Sequence, residues 1–348
     1  MDIKYKLYKI EKLEKWNKFI SMFNSINVDM KDLLPNHYYN EWLHDLELAD
    51  KEIKEKDRDL NYLEKFIYNQ KVFGKLFPAK INGLSFRVFK ELEKNDTIQS
   101  NLNSFKPRKG YAKCVDYDQV STITGRLINT KSSPKILTLP SRCRKIFESR
   151  WQSNGDLLYV DFKTLEPRVI RKINGKESSD DIYNEISNTL EFEVDRVIIK
   201  RGIISTLYGL NSCIEGLSKD RSDKVLNATK EYFDLSSILN YASHINEIGC
   251  RNNFFGRPIW NINEDKENKL INNYVQSTAV DVALTYFSEL VDKINIELCK
   301  PIFIIHDALV LDVHNDYKNE IVNIVNQGYN CSQLGYFPLE IEKLSETY

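Results

Sequence analysis

Two apolar segments of the chain each deliver one aspartate, and the first is Leu157 to Val160, which ends at Asp161. Continuous apolar runs of this kind are typical of buried strands. An acid at the end of such a strand is costly to desolvate unless it is paired or holds a cation. Taken alone, the simpler interpretation is an N-cap aspartate that opens a helix containing Glu166 in its first turn.

The second segment runs from Pro301 to Val313, where two apolar runs flank His306-Asp307. This pattern predicts a tight hairpin with Asp307 at or near its tip. Strand ends can bring Asp161 and Asp307 together, although the two are far apart in the sequence. Two carboxylates at one sheet edge repel each other unless cations lie between them, and Mg²⁺ prefers carboxylate and phosphate oxygens as ligands.

Composition excludes several classes of protein. The chain has 348 residues, 42% of them hydrophobic and 28% charged, which is typical of a globular protein with a proper core. No stretch approaches the ~18–20 apolar residues of a membrane span, and the N-terminus lacks a signal-peptide pattern. The six cysteines are scattered without a Cys-x-x-Cys pair, which indicates a reducing compartment. We therefore expect a cytoplasmic protein of a bacterial or infected host cell, with an organelle left open, and no membrane partner.

Positive charge is concentrated in one part of the chain. Residues 100–172 hold 15 Lys/Arg and six Asp/Glu, so this segment is net +9 and the remainder is net −10. A basic block in an otherwise acidic chain suggests a path for a polyanion on one face. A solvated charged surface explains the same numbers equally well.

Apolar spacing predicts helices over residues 1–30 and two more between residues 36 and 77. We interpret Asp45 and Glu47 as helix surface. Residues 101–110 contain many helix breakers and predict a basic loop that includes Lys109. Threonine and apolar residues alternate over residues 117–127, which predicts a strand. The Thr-Gly-Arg sequence within this stretch predicts a turn that points Arg126 outward.

A four-residue spacing marks one face of a helix predicted over residues 193–210. It places two cations, one aliphatic and one aromatic side chain on a single stripe: Arg196, Lys200, Ile204 and Tyr208. Such a stripe suits a nucleoside triphosphate, although a mixed surface is the more frequent meaning of the pattern alone. A long amphipathic helix is predicted over residues 266–296, with Asn272 and Gln276 one turn apart.

Five stretches in this order resemble the polymerase domain of family A DNA polymerases, the bacterial DNA polymerase I type. The resemblance extends from about Tyr117 to Val313. Its motifs are Tyr117 to Leu127, Asp161 to Arg168, Arg196 to Gly209, Gln276 to Asp281, and His306-Asp307. Each motif alone is weakly specific, but five in the right order with compatible spacing are strongly specific.

The resemblance implies catalytic and nucleotide-binding roles. Asp161, Asp307 and the Phe162 backbone carbonyl would hold two Mg²⁺ ions, for which Mn²⁺ can substitute. Lys200 would contact the triphosphate as a catalytic residue. The implied nucleotide-binding residues are Arg196, Lys200, Ile204, Tyr208, Glu166, Tyr183 and Phe162, with Glu166 blocking a ribose 2′-hydroxyl.

The implied partners are primer-template DNA and dNTPs. The expected DNA-binding residues are Arg126, Arg168, Asn272, Gln276, His306, Lys109 and Arg257. Arginine suits this task because its planar fork can make two hydrogen bonds at once.

The sequence departs from the family pattern at three positions. Ile204 stands where the DNA polymerases carry an aromatic residue, which resembles the phage single-subunit RNA polymerases and suggests unusual sugar discrimination. Ala308 replaces an acid that commonly follows His-Asp. Asn268 stands where an arginine is expected one turn before Asn272.

The implied fold is α+β, a right-hand polymerase with an antiparallel palm sheet, helical fingers and a reduced helical thumb. The expected divisions are an N-terminal helical segment (1–40), a reduced thumb (41–110), palm (111–171), fingers (172–250) and palm again (251–348). This leaves no room for a 3′–5′ exonuclease domain, so separate exonuclease, processivity or replisome proteins are expected partners. The size favours phage or plasmid replication.

Two other functions stay open at this point. One is an RNA polymerase or primase-like nucleotidyltransferase of the same fold, which the choice of NTP would separate. The other is a non-catalytic subunit that binds primer-template DNA. Retention of Asp161, Asp307, Lys200 and Tyr208 argues against the second, because a binder has no need of both carboxylates.

Overall fold

A four-stranded antiparallel sheet carries both aspartates. The computed structural model describes residues 3–21, 30–56, 61–209, 213–247, 249–261, 263–264 and 266–344. Strand order in the sheet is β12-β5-β9-β8. Its strands are β5 (Gly155–Phe162), β8 (Cys299–Ile305), β9 (Ala308–His314) and β12 (Leu339–Lys343).

Short strands pair outside this sheet. They form four antiparallel pairs, three with strands of two residues and one with strands of three residues. The pairs are β1 (Lys80–Ile81) with β4 (Phe147–Glu148), β2 (Tyr117–Asp118) with β3 (Ile128–Asn129), β6 (Arg251–Asn252) with β7 (Pro258–Ile259), and β10 (Tyr329–Cys331) with β11 (Gly335–Phe337).

Helices make up most of the remaining regular structure. They are α1 (Ile3–Leu7), α2 (Glu14–Ser21), α3 (Met30–Leu33), α4 (Asn36–Lys56), α5 (Asn61–Gly74), α6 (Gly83–Leu92), α7 (Asp96–Asn103), α8 (Leu165–Ile173), α9 (Ile182–Ser187), α10 (Arg196–Tyr208), α11 (Lys219–Phe233), α12 (Leu235–Ser243), α13 (Glu267–Lys293) and α14 (Asn315–Asn326). Short 3₁₀ turns cover Glu11–Leu13, Ile136–Thr138, Ser141–Ile146 and Gln152–Asn154. None of the described helices has the length and apolarity that a membrane crossing requires.

The strand and hairpin predictions around the two aspartates are confirmed. β5 buries alternate side chains on one face, which leaves Asp161 on the other. β8 and β9 are joined by the two-residue turn His306-Asp307. His306 has φ = 58°, a left-handed conformation that two-residue hairpins favour and that non-glycine residues seldom adopt.

Aromatic packing holds the back of the sheet against α13. The Phe162 ring centroid lies 5.5 Å from that of Tyr286 and 6.1 Å from that of Phe287. The amphipathic prediction for α13 is wrong, because the helix is buried on most sides and includes buried Ser277, Thr278 and Asp281. A helix enclosed by neighbours on several faces needs no polar face.

The prediction of helices over residues 1–30 is confirmed by α1 and α2 within residues 3–21, and the chain breaks between these two helices. Lys9 adopts a left-handed φ of 48°, and a 3₁₀ turn separates α1 from α2. The apolar spacing still marks the core, since Ile10, Leu13 and Trp16 are buried. Phe23, which belongs to the same apolar pattern, lies outside the described residues.

The two helices predicted between residues 36 and 77 are confirmed as α4 and α5. Asp45 lies on α4, as expected, but it is not merely solvated. Its carboxylate accepts from Trp16 Nε1 at 2.7 Å and lies 3.0 Å from Lys15 Nζ, which fastens α2 to α4.

The strand predicted over residues 117–127 exists only at Tyr117–Asp118. The Asp118 carboxylate accepts from the backbone N–H groups of Val120 (2.8 Å) and Ser121 (3.0 Å), which diverts the chain from the sheet. Gly125 then turns the chain at φ = 75°. A side chain at this position would collide with the Arg257 guanidinium, 2.5 Å from an added Cβ.

A buried polar chain joins α5 to α13. Arg257 Nη1 donates to Tyr62 Oη at 3.1 Å, and Tyr62 Oη donates to Asp281 Oδ1 at 3.0 Å. Asn253 Nδ2 donates to Asp281 Oδ2 at 2.7 Å. All four residues are buried, so each hydrogen bond replaces hydration that was lost on folding.

We expect Tyr62→Phe to lower the free energy of unfolding by about 1–3 kcal/mol, because it leaves Asp281 and Arg257 with unsatisfied buried groups. Tyr68→Phe is the matched control, since Tyr68 lies on the same helix and its hydrogen bond to Asp292 (3.3 Å) is exposed. Urea denaturation of both variants measures the difference. Equal losses in the two variants would contradict a stabilising role for the buried chain.

Candidate active site

The two aspartates meet at one end of the sheet. Asp161 on β5 pairs with Ala308 on β9, and Asp307 is the residue immediately before Ala308. Burial and then the charge of Asp307 raise the pKa of Asp161 to about 8. Burial also raises the pKa of Asp307. Without a cation, the folded protein therefore keeps a proton on this pair of carboxyls near neutral pH.

A cleft of about 60 Å³ opens beside Asp307. Arg126, Glu166, Gln276, His306 and Asp307 line it, together with apolar side chains of α13. These five residues were all predicted site residues, and they come from four separate parts of the sequence. The fold therefore brings five of the predicted site residues into one place.

Arg126 and His306 contact each other at the mouth of the cleft. Arg126 Nη2 donates to His306 Nδ1 at 3.2 Å, and both side chains are exposed. Burial, followed by the charges of Arg126 and Arg144, lowers the pKa of His306. His306 thus stays neutral with Nδ1 as an acceptor, and Arg126 is a cation in direct contact with the turn.

A chain of hydrogen bonds links α10 to the turn that carries Arg126. Tyr208 Oη donates to Glu166 Oε2 at 3.5 Å, and the Gln276 side chain also bonds to Glu166. Thr124 Oγ1 donates to Gln276 Oε1 at 2.8 Å. Burial, and then the charge of Asp307, raises the pKa of Glu166. Sequence reasoning missed Thr124, because a hydroxyl that holds another side chain has no sequence pattern of its own.

The predicted stripe on α10 lies on its exposed face, with Arg196, Lys200, Ile204 and Tyr208 all exposed. Arg196 forms an ion pair with Asp181, the N-cap of α9, and its guanidinium lies 4.4 Å from the Tyr183 ring centroid. The opposite face of the helix is buried. α10 thus offers the two cations and the aromatic side chain of this stripe to solvent.

Asn268 fastens the end of α10 to the start of α13. Its Nδ2 donates to the Tyr208 carbonyl at 3.3 Å. Gly209 ends α10 at φ = 69°, and an added Cβ would lie 1.8 Å from Asn268 Nδ2. Asn268 therefore caps the helix at the position where the family pattern predicts an arginine.

Arg168 and Arg257 are not available for DNA, which corrects two predicted contacts. Arg168 is 4% exposed and donates to the carbonyls of Lys163 (2.9 Å), Ser179 and Asp180 (3.0 Å each). Arg257 is 2% exposed and donates to Tyr62 and to the Gln119 carbonyl at 2.8 Å. Both guanidiniums satisfy internal acceptors, because a charge removed from water needs such partners.

Two other predicted DNA contacts lie elsewhere. Asn272 is half-buried on α13, one turn before Gln276. Lys109 is exposed in the turn beside β1, where Gly110 accepts from Ile81 N–H at 2.9 Å, and it does not line the cleft.

A third carboxylate flanks the pair of aspartates. Glu340 on β12 is the cross-strand partner of Asp161, and its charge adds to the raised pKa of Asp161. Across the described ranges, no three His, Cys, Asp or Glu side chains lie close enough to share a metal ion. The alternating Leu339 to Lys343 segment could have indicated this acidic strand, but the sequence alone does not show which strand it pairs with.

The comparisons with known proteins show the fold. No protein-family model matches the chain, and no curated protein matches it. The structure is similar to the polymerase domain of Pol1 from M. smegmatis, solved in complex with DNA primer-template and dNTP. The TM-score is 0.56 at 17% sequence identity, over 72% of this chain and 51% of that one. The chain thus spans about half the length of that structure and shares its polymerase fold.

The raised pKa of Asp161 predicts a pH dependence of stability in metal-free protein. Folded Asp161 holds its proton up to about pH 8, whereas an unfolded aspartate loses it near pH 4. Stability therefore falls as the pH rises through this window. Asp161→Asn does not titrate, so it should raise the Tm by at least about 2 °C relative to wild type at pH 8 and by much less at pH 5.

Differential scanning fluorimetry in EDTA measures this effect. Glu47→Gln is the control, because Glu47 is an exposed carboxylate of α4 and should follow the wild-type profile. A pH-independent offset for Asp161→Asn would contradict a proton held on the folded pair.

Proposed function

We propose that the protein is a template-directed DNA polymerase that adds dNTPs to a primer 3′-hydroxyl by two-metal-ion nucleotidyl transfer. The observation that carries the proposal is the half-buried Asp161–Asp307 pair on a polymerase fold, where Asp307 lines one cleft with Glu166, Gln276 and Arg126. Helices α9 to α12 would form the fingers, and the four-stranded sheet the palm.

The donor set fits divalent cations. Asp161 and Asp307 repel each other, as their raised pKa values indicate, and a cation would remove this cost. Mg²⁺ commonly takes only one or two protein carboxylates and completes its shell with phosphate oxygens and water. The two aspartates and the Phe162 carbonyl would hold the ions. When bound, such ions activate the primer hydroxyl and neutralise the charge of the triphosphate.

Cations of α10 would bind the triphosphate. Lys200 lies on the exposed face of the helix, one turn from Arg196. Arg196 would exchange its ion pair with Asp181 for a phosphate. Lys200 would hold the leaving phosphates and supply a proton to them, an electrostatic task that requires a positioned charge at the reacting group.

Side chains at the cleft would orient the sugar. Glu166 is half-buried and bonds to Tyr208 and Gln276, so its side chain is positioned to exclude a ribose 2′-hydroxyl sterically. Ile204 provides a smaller wall than an aromatic side chain would. This favours a second candidate function, RNA synthesis by the same chemistry, which nucleotide choice distinguishes.

The test is extension of a labelled primer-template by purified protein with Mg²⁺ and either dNTPs or NTPs. We expect extension with dNTPs that is lost in Asp307→Ala. Extension with NTPs alone would assign RNA synthesis. Tight primer-template binding without extension by either set would contradict the catalytic proposal in favour of a binding subunit.

Within this assay, we expect Lys200→Ala to lower the rate of incorporation by about 10²–10³ through loss of one preorganised charge. Arg201→Ala is the matched control, because Arg201 is the next exposed cation of α10 and lies 3.1 Å from Glu215. Single-turnover rates at saturating dNTP separate the two variants. Equal rates in both would exclude a specific role for Lys200.

The Thr124 hydroxyl should support sugar selection through Gln276 and Glu166. Thr124→Val removes the donor to Gln276 Oε1, and we expect the dNTP-to-rNTP ratio of kcat/KM to fall by about fivefold, the equivalent of one hydrogen bond. Thr124→Ser keeps the hydroxyl and should keep the ratio. Equal ratios in the Val and Ser variants would rule out the hydrogen-bond chain as the cause.

A further inference from the structure

A second cleft, of about 270 Å³, lies between the N-terminal segment and the turn that precedes Arg126. Its polar lining combines cations, hydroxyls and one indole: Lys6, Lys9, Ser121, Thr122, Trp260 and Asn261. Arg257 forms part of its wall, and none of the residues found to line it is acidic. An open, cationic cleft with hydroxyl donors is suited to phosphate groups.

The N-terminal segment is fixed in place beside this cleft. Trp260 Nε1 donates to the Leu7 carbonyl at 2.9 Å, and Lys56 Nζ donates to the Tyr8 carbonyl at 3.1 Å. The ammonium groups of Lys9 and Lys56 each lie 5.5 Å from the Trp260 ring centroid. These contacts hold Lys9 at the cleft although its backbone is left-handed, a conformation that is costly for lysine.

Unmatched positive charge remains at the cleft. Lys6 and Lys9 are exposed, and neither has a carboxylate within 4 Å among the residues whose placement is described. Arg257 is 2% exposed and bonds to Tyr62 and the Gln119 carbonyl, so it forms wall only and leaves the two lysines as the cations open to a ligand. The Asp118 carboxylate accepts from the N–H groups of Val120 and Ser121, and the charge of Lys6 helps these bonds to lower its pKa, so Asp118 offsets part of the Lys6 charge without forming an ion pair with it.

We propose that this cleft binds backbone phosphates of the primer-template duplex behind the primer end, with Lys6 and Lys9 as the contacting groups. The inference rests on the proposed polymerase function and assigns a binding role to the N-terminal segment.

The distance along the chain supports a duplex in this position. Ser121 lines the cationic cleft, whereas Arg126 lines the cleft of the two aspartates. Five residues span at most about 18 Å, which equals about five base pairs at 3.4 Å each. Ser121 in one cleft and Arg126 in the other therefore lie no farther apart than this short length of duplex.

Thr122 links the two clefts directly. Its Oγ1 donates to the Arg126 carbonyl at 2.8 Å, which closes the turn between them. A phosphate held against Ser121 and Thr122 would therefore be fixed relative to Arg126 at the reacting end.

The test compares two double variants that each remove two lysines from the N-terminal region. Lys6→Gln/Lys9→Asn removes the proposed contacts, and asparagine tolerates the left-handed backbone at position 9. Lys51→Gln/Lys54→Gln is the control, because both lysines are exposed on α4 and neither lines the cleft. Fluorescence anisotropy of a labelled primer-template over a range of salt concentrations gives Kd and its salt slope.

We expect Lys6→Gln/Lys9→Asn to weaken duplex binding on the order of tenfold at 0.1 M salt and to reduce the salt slope by roughly 0.9 per lost phosphate contact. The control variant should keep the wild-type slope, and the KM for dNTP should not change in either variant.

Equal salt slopes in both variants would overturn the inference. If wild type still extended the primer, the proposed function would remain intact. A raised KM for dNTP with unchanged duplex Kd would assign the cleft to free nucleotide instead. Failure of the wild-type protein to bind the duplex would overturn both proposals.

Discussion

Repulsion between Asp161 and Asp307 is the constraint on which the site depends. Asp161 at the end of β5 and Asp307 in the adjacent turn are both half-buried, so ionising both carboxyls is unfavourable, and their raised pKa values express this cost. The sheet register fixes their proximity, because a slip of one residue would send Asp161 to the opposite face. In the folded protein, a cation bound between the two carboxyls would displace the proton that they hold.

Packing and hydrogen bonds of α13 fix the strand that carries Asp161 and the end of α10. Phe162, next to Asp161, packs against α13, and α13 is joined to α5 by the buried chain from Arg257 to Asp281. Asn268 fastens α10 to the first turn of α13. The long helix α13 therefore connects the sheet, α5 and α10. Arg168 and Arg257, which were expected at DNA, instead hold this scaffold together.

Site residues that lie in apolar runs or at a regular helical spacing could be predicted from the sequence. Residues whose role depends on tertiary contacts could not. Apolar runs located β5 and the β8–β9 hairpin, and a four-residue step located the exposed face of α10. The strand over 117–127 was wrong because Asp118 bonds to its own turn, which local alternation does not show. Burial of Arg257 and the pairing of Glu340 with Asp161 could not be predicted, because both depend on which distant segments meet.

The positions of bound metal ions would show whether Asp161 and Asp307 form a metal site. Crystals of the protein with primer-template DNA, a non-hydrolysable dNTP and Mn²⁺ would give anomalous peaks that locate each ion. We expect two peaks next to the carboxylates of Asp161 and Asp307, and none at this place in Asp161→Asn/Asp307→Asn. Mn²⁺ bound elsewhere, with nucleotide and primer end in place but no ion between the two aspartates, would contradict this expectation.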